Sequence, residues 1–191
     1  MFILYAVVLG LILGFVTKGK LKYLALRPMY WKALALFAFA IQLVIFSNIS
    51  FIKSLPTIFI VIFHYFSYIC LLAFIVRNIR NLGITVVGIG ILLNSLVIFL
   101  NGGHMPTIPQ NFKNTSVGQS ADIINQGETV HNSAKLTGET VLPWLGDIFY
   151  LPSWIPLSNV FSIGDIFIAA GICIYIIINM HPIAKSKSYL F

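Results

Sequence analysis

Five long apolar runs, separated by short polar or basic stretches, dominate the chain. Each run approaches the ~20 residues that an α-helix needs to cross the hydrocarbon of a bilayer. No strand-rich pattern and no repeat with a period of about 20–50 residues accompanies them. The pattern therefore predicts five transmembrane helices, over residues 2–16, 29–49, 56–76, 82–100 and 163–180.

One long polar segment interrupts this pattern between the fourth and fifth runs, at residues 101–161. It is far longer than a helix connection requires, and loops of that length are usually functional or disordered. Its middle is rich in Asn, Ser, Thr and Gly, whereas its flanks carry Pro, Trp and Tyr. We expect an all-α, polytopic membrane fold, a single domain over residues 1–191, with this segment on the extracytoplasmic side.

The composition supports a membrane location. Of the 191 residues 59% are hydrophobic and only 9% are charged, against about 25% charged in a typical soluble domain. The net charge of +7 is compatible with nucleic-acid binding. The basic residues lie between the apolar runs, however, so they fit topology and anionic lipid headgroups far better. The expected partners are membrane lipids, another membrane or extracytoplasmic protein, and no nucleic acid.

The distribution of charge also predicts the orientation. The first apolar run is followed by positive charge, the reverse of a cleavable signal peptide, so it is read as the first transmembrane helix. The basic residues that fall on one side are Lys18, Lys20, Lys22, Arg27, Lys32, Arg77, Arg80, Lys185 and Lys187. Only Lys53, Lys113 and Lys135 fall on the other side. The positive-inside rule then places the N-terminus outside and the C-terminus in the cytoplasm.

All five acidic residues are expected on the outer side, and two of them, Asp147 and Asp165, lie within the stretch of residues 144–171. Ser162 and Asp165 have the spacing of a helix capping box, which would account for Asp165 structurally. Asp147 follows a glycine in a turn-like setting between prolines, where aspartate commonly bonds its own backbone. The alternative is functional: two carboxylates that share a proton can activate water for hydrolysis.

The remaining candidate chemistry in this segment is weaker. His104 and His131, together with the two aspartates, offer donors for a metal, but no tight ligand spacing supports such a site. We therefore predict no metal and no cofactor. The two cysteines, Cys70 and Cys173, sit inside apolar runs and are interpreted as small hydrophobic residues. If the segment is a docking surface, its predicted binding residues are Asn101, His104, His131 and Trp144.

Polar side chains inside the apolar runs include Gln42, His64 and Asn94. Their simplest role is hydrogen bonding between helices. A transporter would need a polar cavity at the bilayer midplane and usually an ionisable group there. Asp165, near one helix end, is the sole acidic or basic residue that approaches the membrane interior, so transport is disfavoured.

The chain resembles a bacterial family catalogued as domain of unknown function 5317, over nearly its whole length. The likeness rests on the GKLKYL loop at residues 19–24, the NGGHMP turn at 101–106, and His131. It also rests on WLGD at 144–147 and FSIGD at 161–165. The resemblance implies a bacterial inner-membrane protein and no named reaction.

A second and more local likeness, over about 25 residues, is to lipoprotein signal peptidase, a membrane aspartic peptidase. Asp147 and Asp165 resemble its two catalytic aspartates, the latter at the outer end of an inward-running last helix. Its Asn-x-x-Asp-Arg segment has no counterpart, Ser162 replaces its asparagine, and it has four spans with its N-terminus inside. We expect a non-catalytic interaction, assembly or sensing protein; the alternative is a membrane-embedded aspartic hydrolase that uses Asp147 and Asp165.

Overall fold

The computed structural model describes residues 2–47 and 49–182. The predicted basic tail, Lys185 and Lys187, lies outside these residues. In chain order the helices are α1 (Phe2–Val16), α2 (Leu21–Ala25), α3 (Lys32–Ile45), α4 (Ser50–Lys53), α5 (Thr57–Arg77), α6 (Leu82–Leu100), α7 (Pro109–Lys113), α8 (Ser120–Asn125) and α9 (Ile163–Asn179). The strands are β1 (Met105–Thr107), β2 (Ser133–Lys135), β3 (Phe149–Tyr150) and β4 (Val160–Phe161), and Pro143–Leu145 forms a 3₁₀ turn.

The fold is mostly helical, as expected, and each predicted apolar run contains one long helix. By length and composition α5 and α6 can cross a membrane, whereas Ile3–Val16, Lys32–Ile45 and Ile163–Asn179 are shorter apolar helices. The second helix is shorter than its predicted range of 29–49. It begins only after Trp31, which has a left-handed backbone (φ 56°) incompatible with helix continuation, and it ends at Ile45. Five membrane spans remain a prediction.

In chain order, the five long helices run in alternating directions between the same two ends of the molecule, and α1 and α9 are parallel neighbours. Neighbours pack in the order α3, α5, α6, α9, α1. At one end, residues 101–162, here called the cap, cover the helix termini. The cap contacts α3 through His131 Nδ1 and the Phe46 carbonyl (2.9 Å). It contacts α1 through the Tyr5 hydroxyl, which donates to the Pro156 carbonyl.

The opposite end, here called the basic end, is held by hydrogen bonds between chain segments far apart in sequence. The Lys20 amide donates to the Met180 carbonyl (2.7 Å), and the Arg27 guanidinium donates to the His181 carbonyl (2.8 Å). The Arg77 guanidinium lies over the Tyr30 ring, 4.4 Å from its centroid. Basic side chains therefore gather at the end away from the cap.

Glycines allow α9 to approach both of its neighbours. On the α6 side, a Cβ at Gly90 would lie 2.3 Å from the Gly164 carbonyl oxygen, so only glycine fits this crossing. On the α1 side, a Cβ at Gly10 would lie 3.2 Å from Cys173 Cα. The glycine-bearing face of α1 therefore packs closely against α9, as small-residue faces do in membrane bundles.

The cap contains short strands that the sequence analysis did not predict. β1 and β2 pair in parallel, and β3 and β4 pair antiparallel. A single bridge between Thr107 and Asp147 extends the first pair. Phe112, Ala121, Ile124 and Val160 form a small apolar core of the cap's own.

Candidate functional site

The first turn of α9 places Asp165 under the cap. The Ser162 hydroxyl accepts a hydrogen bond from the Asp165 amide (3.1 Å), and Asp165 Oδ2 accepts one from the Ser162 amide (3.0 Å). The predicted capping box is therefore confirmed. Both bonds satisfy amides that a helix N-terminus leaves without partners.

The Asp165 carboxylate does more than cap its own helix, because it also bonds a neighbouring helix. Asn94, on α6, donates its amide hydrogen to Asp165 Oδ1 (3.1 Å). The Ser162 hydroxyl lies 2.9 Å from Asn94 Oδ1 and donates to it. Each of the three side chains thus orients the other two, and the carboxylate is fixed between α6 and α9.

Asp147 lies beside this network, in the turn after the 3₁₀ segment. Its backbone is bound to the strand region of the cap, since its amide donates to the Pro106 carbonyl (2.8 Å). Among the described residues its carboxylate oxygens accept no hydrogen bond. Burial, and after it the charge of Asp165, raises the pKa of Asp147 well above its ordinary value of 3.8. The two aspartates are therefore close enough to interact electrostatically.

A cavity of about 450 Å³ extends from Asp165 into the helix bundle. Its walls come from all five long helices and are mainly apolar, with Ile3 on α1, Phe39 on α3 and Leu71 on α5. Small-molecule sites in proteins commonly have volumes of about 300–1,000 Å³, apolar walls and a few polar groups. We call this cavity the groove.

The polar side chains of the groove lie mainly towards its cap end. Asn94 and Asp165 reach it from the cap ends of α6 and α9, and Gln42 from the cap end of α3. Gln42 donates its amide to the Ser67 hydroxyl (2.9 Å), so its carbonyl oxygen remains an acceptor. Tyr68 is 9% exposed and lines the groove, and its hydroxyl has no hydrogen-bond partner among the described residues.

The structure separates the predicted binding residues from the groove. Asn101 ties the end of α6 to the cap: its amide donates to the Val97 and Val141 carbonyls (2.7 and 2.9 Å). His131 contacts α3 as described above, and Trp144 is 58% exposed. None of the three lines the groove, and their binding role stays a prediction.

His104 is set apart from the other binding candidates by its surroundings. It borders two smaller hollows of the cap, of about 330 and 420 Å³. Its Nδ1 atom is buried without a partner in the described part of the chain, and burial lowers the pKa of the imidazole. Within the described ranges, no group of three or more His, Cys, Asp or Glu side chains can hold a metal ion.

Two features of the site escaped the sequence analysis. Tyr68 was not singled out, because an aromatic residue in an apolar run carries no signal of its own. The pairing of Asn94 with Asp165 joins residues 71 positions apart, and nothing in their local sequences indicates it. Of the three polar side chains expected to hydrogen-bond between helices, Gln42 and Asn94 do so, whereas His64 bonds the Gly103 carbonyl of the cap (2.9 Å).

One family of known sequences matches the chain: the description "Family of unknown function (DUF5317)" applies to residues 26–177. No curated protein matches, and no solved structure matches. The likeness to lipoprotein signal peptidase thus receives no support from these comparisons.

Proposed function

The chain belongs to the family of unknown function DUF5317, and from that premise we propose that it is a five-span membrane protein that binds an amphipathic molecule in its groove. The single observation that carries this function is the groove itself, with apolar walls and with its carboxylate and amide side chains at one end. Such a cavity matches a ligand with an apolar chain and a polar head.

The surface of the bundle supports the membrane location. Large apolar side chains are exposed along every long helix, among them Leu9, Phe37, Phe63, Leu92, Phe167 and Ile178. Apolar patches of this extent mark contact with a membrane or another protein. At 14 to 17 residues the three shorter helices measure about 21–26 Å. A bilayer of ~30 Å can adapt to that length by local thinning.

We infer that the ligand enters the groove sideways from the bilayer. Ile3 on α1 and Phe39 on α3 both line the groove, and α1 and α3 make little or no direct contact within the described residues. The gap between these two helices faces the surroundings of the bundle. A membrane lipid or a similar amphiphile therefore needs no aqueous path to reach the groove.

The cap couples ligand binding in the groove to a surface that other proteins can contact. It is bonded to α1 at Tyr5, to α3 at Phe46, and to α6 at Asn101. A ligand that spreads these helices shifts the surface that the cap presents. A non-catalytic sensing or interaction role, with the cap as docking segment, follows from this coupling. The cap then faces the outside of a bacterial cell, and the basic end faces the cytoplasm.

The proposal can be tested by filling the groove. Ala35 lines the groove from α3, so Ala35→Phe should exclude the ligand. Ala40 lies on the same helix but is exposed and does not line the groove, so Ala40→Phe is the matched control. Lipids retained by each purified protein are measured by mass spectrometry. We expect an amphiphile to co-purify with the wild type and the control, and to be lost from Ala35→Phe.

Equal retention of every lipid by the wild type and Ala35→Phe, with both proteins folded, would reject a groove-bound ligand. Because the exposed apolar faces retain lipid in all three proteins, the test compares the amount of lipid retained by Ala35→Phe with the amount retained by Ala40→Phe.

A second candidate is the aspartic hydrolase, and the effect of the Asp165 charge on the pKa of Asp147 favours it. A raised pKa suits a carboxyl group that holds a proton while its neighbour accepts one. An enzyme predicts that Asp147→Asn accumulates an intact molecule which the wild type releases in cleaved form. A binding protein predicts the same intact molecule on both.

A further inference from the structure

Building on the proposed function, we propose that the groove selects an amphiphile whose head is a protonated amine, and that Asp165 is its specificity-determining residue. The inference concerns the chemical class of the head, which the volume and apolar walls of the groove leave open. It rests on the hydrogen-bonding capacity left at the cap end and on the charge of the residues there.

Asp165 retains an acceptor site for a ligand. A carboxylate offers about four lone-pair positions. Oδ2 receives the Ser162 amide and lies 3.1 Å from the Ser162 hydroxyl. Oδ1 receives only the Asn94 amide, so it keeps one position, and the side chain lines the groove. Because Ser162 and Asn94 hold the carboxylate in place, it loses little conformational entropy when a ligand binds.

The other polar groups at the cap end of the groove, those of Gln42 and Tyr68, are uncharged and can accept a hydrogen bond. The Gln42 carbonyl oxygen is left free by the bond from its amide to Ser67. The Tyr68 hydroxyl, on a side chain more than nine-tenths buried, has no partner among the described residues. The hydroxyl can accept a hydrogen bond, and the ring face attracts cations. An ammonium group has three donors and no acceptor, which matches this set.

An anionic head has no positive partner among the side chains at the cap end of the groove; the nearest cation that acts on a lining residue is Arg27, beside Tyr175 at the far end. None of the described residues that line the groove is Lys, Arg or His. The cations of the neighbouring chain segments lie at the basic end, where Arg27 bonds the His181 carbonyl and Arg77 covers Tyr30. A phosphate at the cap end would face the Asp165 carboxylate, which lines the groove. Burying such a charge beside a like charge is strongly unfavourable.

The test uses three probes with the same apolar chain: dodecylamine, dodecanol and dodecyl phosphate. Their equilibrium binding is measured on the full chain in phosphatidylcholine nanodiscs. Binding to Ala35→Phe, the filled groove, is subtracted as the membrane background. We expect dodecylamine to bind at least about tenfold more tightly than dodecanol, as one charge-assisted hydrogen bond allows. Dodecyl phosphate should bind more weakly than both.

The residue assignment is tested with Asp165→Asn, which keeps the size of the side chain and one oxygen that can accept the capping hydrogen bond from Ser162. It should lower the affinity for dodecylamine by about tenfold and leave dodecanol within about threefold. Glu139→Gln removes an acid from an exposed position of the cap and should change neither. If Asp165→Asn fails to fold, the ranking of the three probes on the unsubstituted protein still decides the headgroup.

The outcomes separate this inference from the proposed function. Equal or tighter binding of dodecyl phosphate, or an amine preference that survives Asp165→Asn, overturns the headgroup assignment while groove binding stands. If none of the three probes binds above the Ala35→Phe background, and the wild type retains no more lipid than that variant, groove binding itself fails.

Discussion

At the scale of single residues, the two aspartates differ in what holds them. Asp165 is fixed by the capping box and by Asn94, whereas the Asp147 carboxylate has no hydrogen bond among the described residues. The capping interpretation of Asp165 is therefore correct but incomplete. A turn aspartate pointing into water would have argued against an acid pair, but Asp147 is only partly exposed. The ionised Asp147 carboxylate therefore lowers the stability of the folded state, and a mutation can test this.

Asp147→Asn should stabilise the protein at neutral pH. The folded-state pKa of Asp147 is raised above the ordinary 3.8, so the folded state binds the proton more tightly than the unfolded state. Wild-type stability then falls as the pH rises above 3.8. The melting temperature of Asp147→Asn should exceed that of the wild type near pH 7, and the difference should vanish below 3.8.

Asp122→Asn is the matched control, because Asp122 is exposed and pairs only with the exposed Lys113 (3.5 Å). Such pairs contribute about 0–1 kcal/mol. A melting temperature of Asp147→Asn equal to or below the wild-type value at neutral pH would contradict the cost assigned to this carboxylate.

His181 should make the basic end sensitive to pH. Its Nε2 and Nδ1 atoms lie 2.9 Å from the Thr17 and Ile177 carbonyls, and both can donate only when the ring is charged. These bonds raise its pKa above 6.5. Their contribution is full below pH 6.5 and is lost as the pH rises through the raised pKa.

The corresponding measurement compares the wild type with His181→Ala across that range. The difference in melting temperature should be largest below pH 6.5 and should shrink at higher pH. A difference that does not change with pH would mean that the ring acts only by packing.

At the scale of elements, the contact between α6 and α9 organises the site. Gly90 and Gly164 bring the helices close where Asn94 meets Asp165. Further towards the basic end, Gly171 lies against the α6 backbone at Val87. A Cβ at Gly164 would lie 2.0 Å from Asn94 Oδ1. The glycines thus set the distance across which the amide reaches the carboxylate.

Gly171→Leu should separate α6 from α9. A Cβ at position 171 would lie 2.5 Å from the Val87 amide nitrogen, and backbone cannot move aside easily. Overpacking of this kind costs about 1–3 kcal/mol, measured as a loss of unfolding free energy in detergent. Ala170→Leu, at an exposed position of the same helix, should cost little. Similar losses for the two variants would show that the close approach is not needed.

At the scale of the whole molecule, alternating helix directions place the cap at one end and basic residues at the other. This agrees with the charge distribution along the sequence, although the tail lysines lie outside the described residues. Exposed apolar side chains cover the helices between the two ends. The arrangement fits the membrane bundle proposed above.

Labelling of single cysteines should verify the orientation. In a chain whose Cys70 and Cys173 are alanine, Glu139→Cys places a thiol on the cap and Lys22→Cys places one at the basic end; both positions are exposed. A membrane-impermeant maleimide should label the first in intact cells and the second only after permeabilisation. The opposite result would invert the orientation, and labelling of both in intact cells would exclude a sealed barrier between the ends.

Sequence alone was sufficient to identify the five apolar helices, because helix formation and hydrophobicity are local properties that a long continuous apolar run expresses by itself. It also identified the capping box, whose partners are three residues apart. The second helix was predicted too long, since the left-handed turn at Trp31 has no signature in its side chain.

The groove, the pairing of Asn94 with Asp165 and the proximity of Asp147 to Asp165 were decided by the tertiary structure. Each depends on which helices become neighbours and how closely glycines let them pack. Both are set by the energies of contacts between residues distant in sequence, which no local sequence pattern encodes.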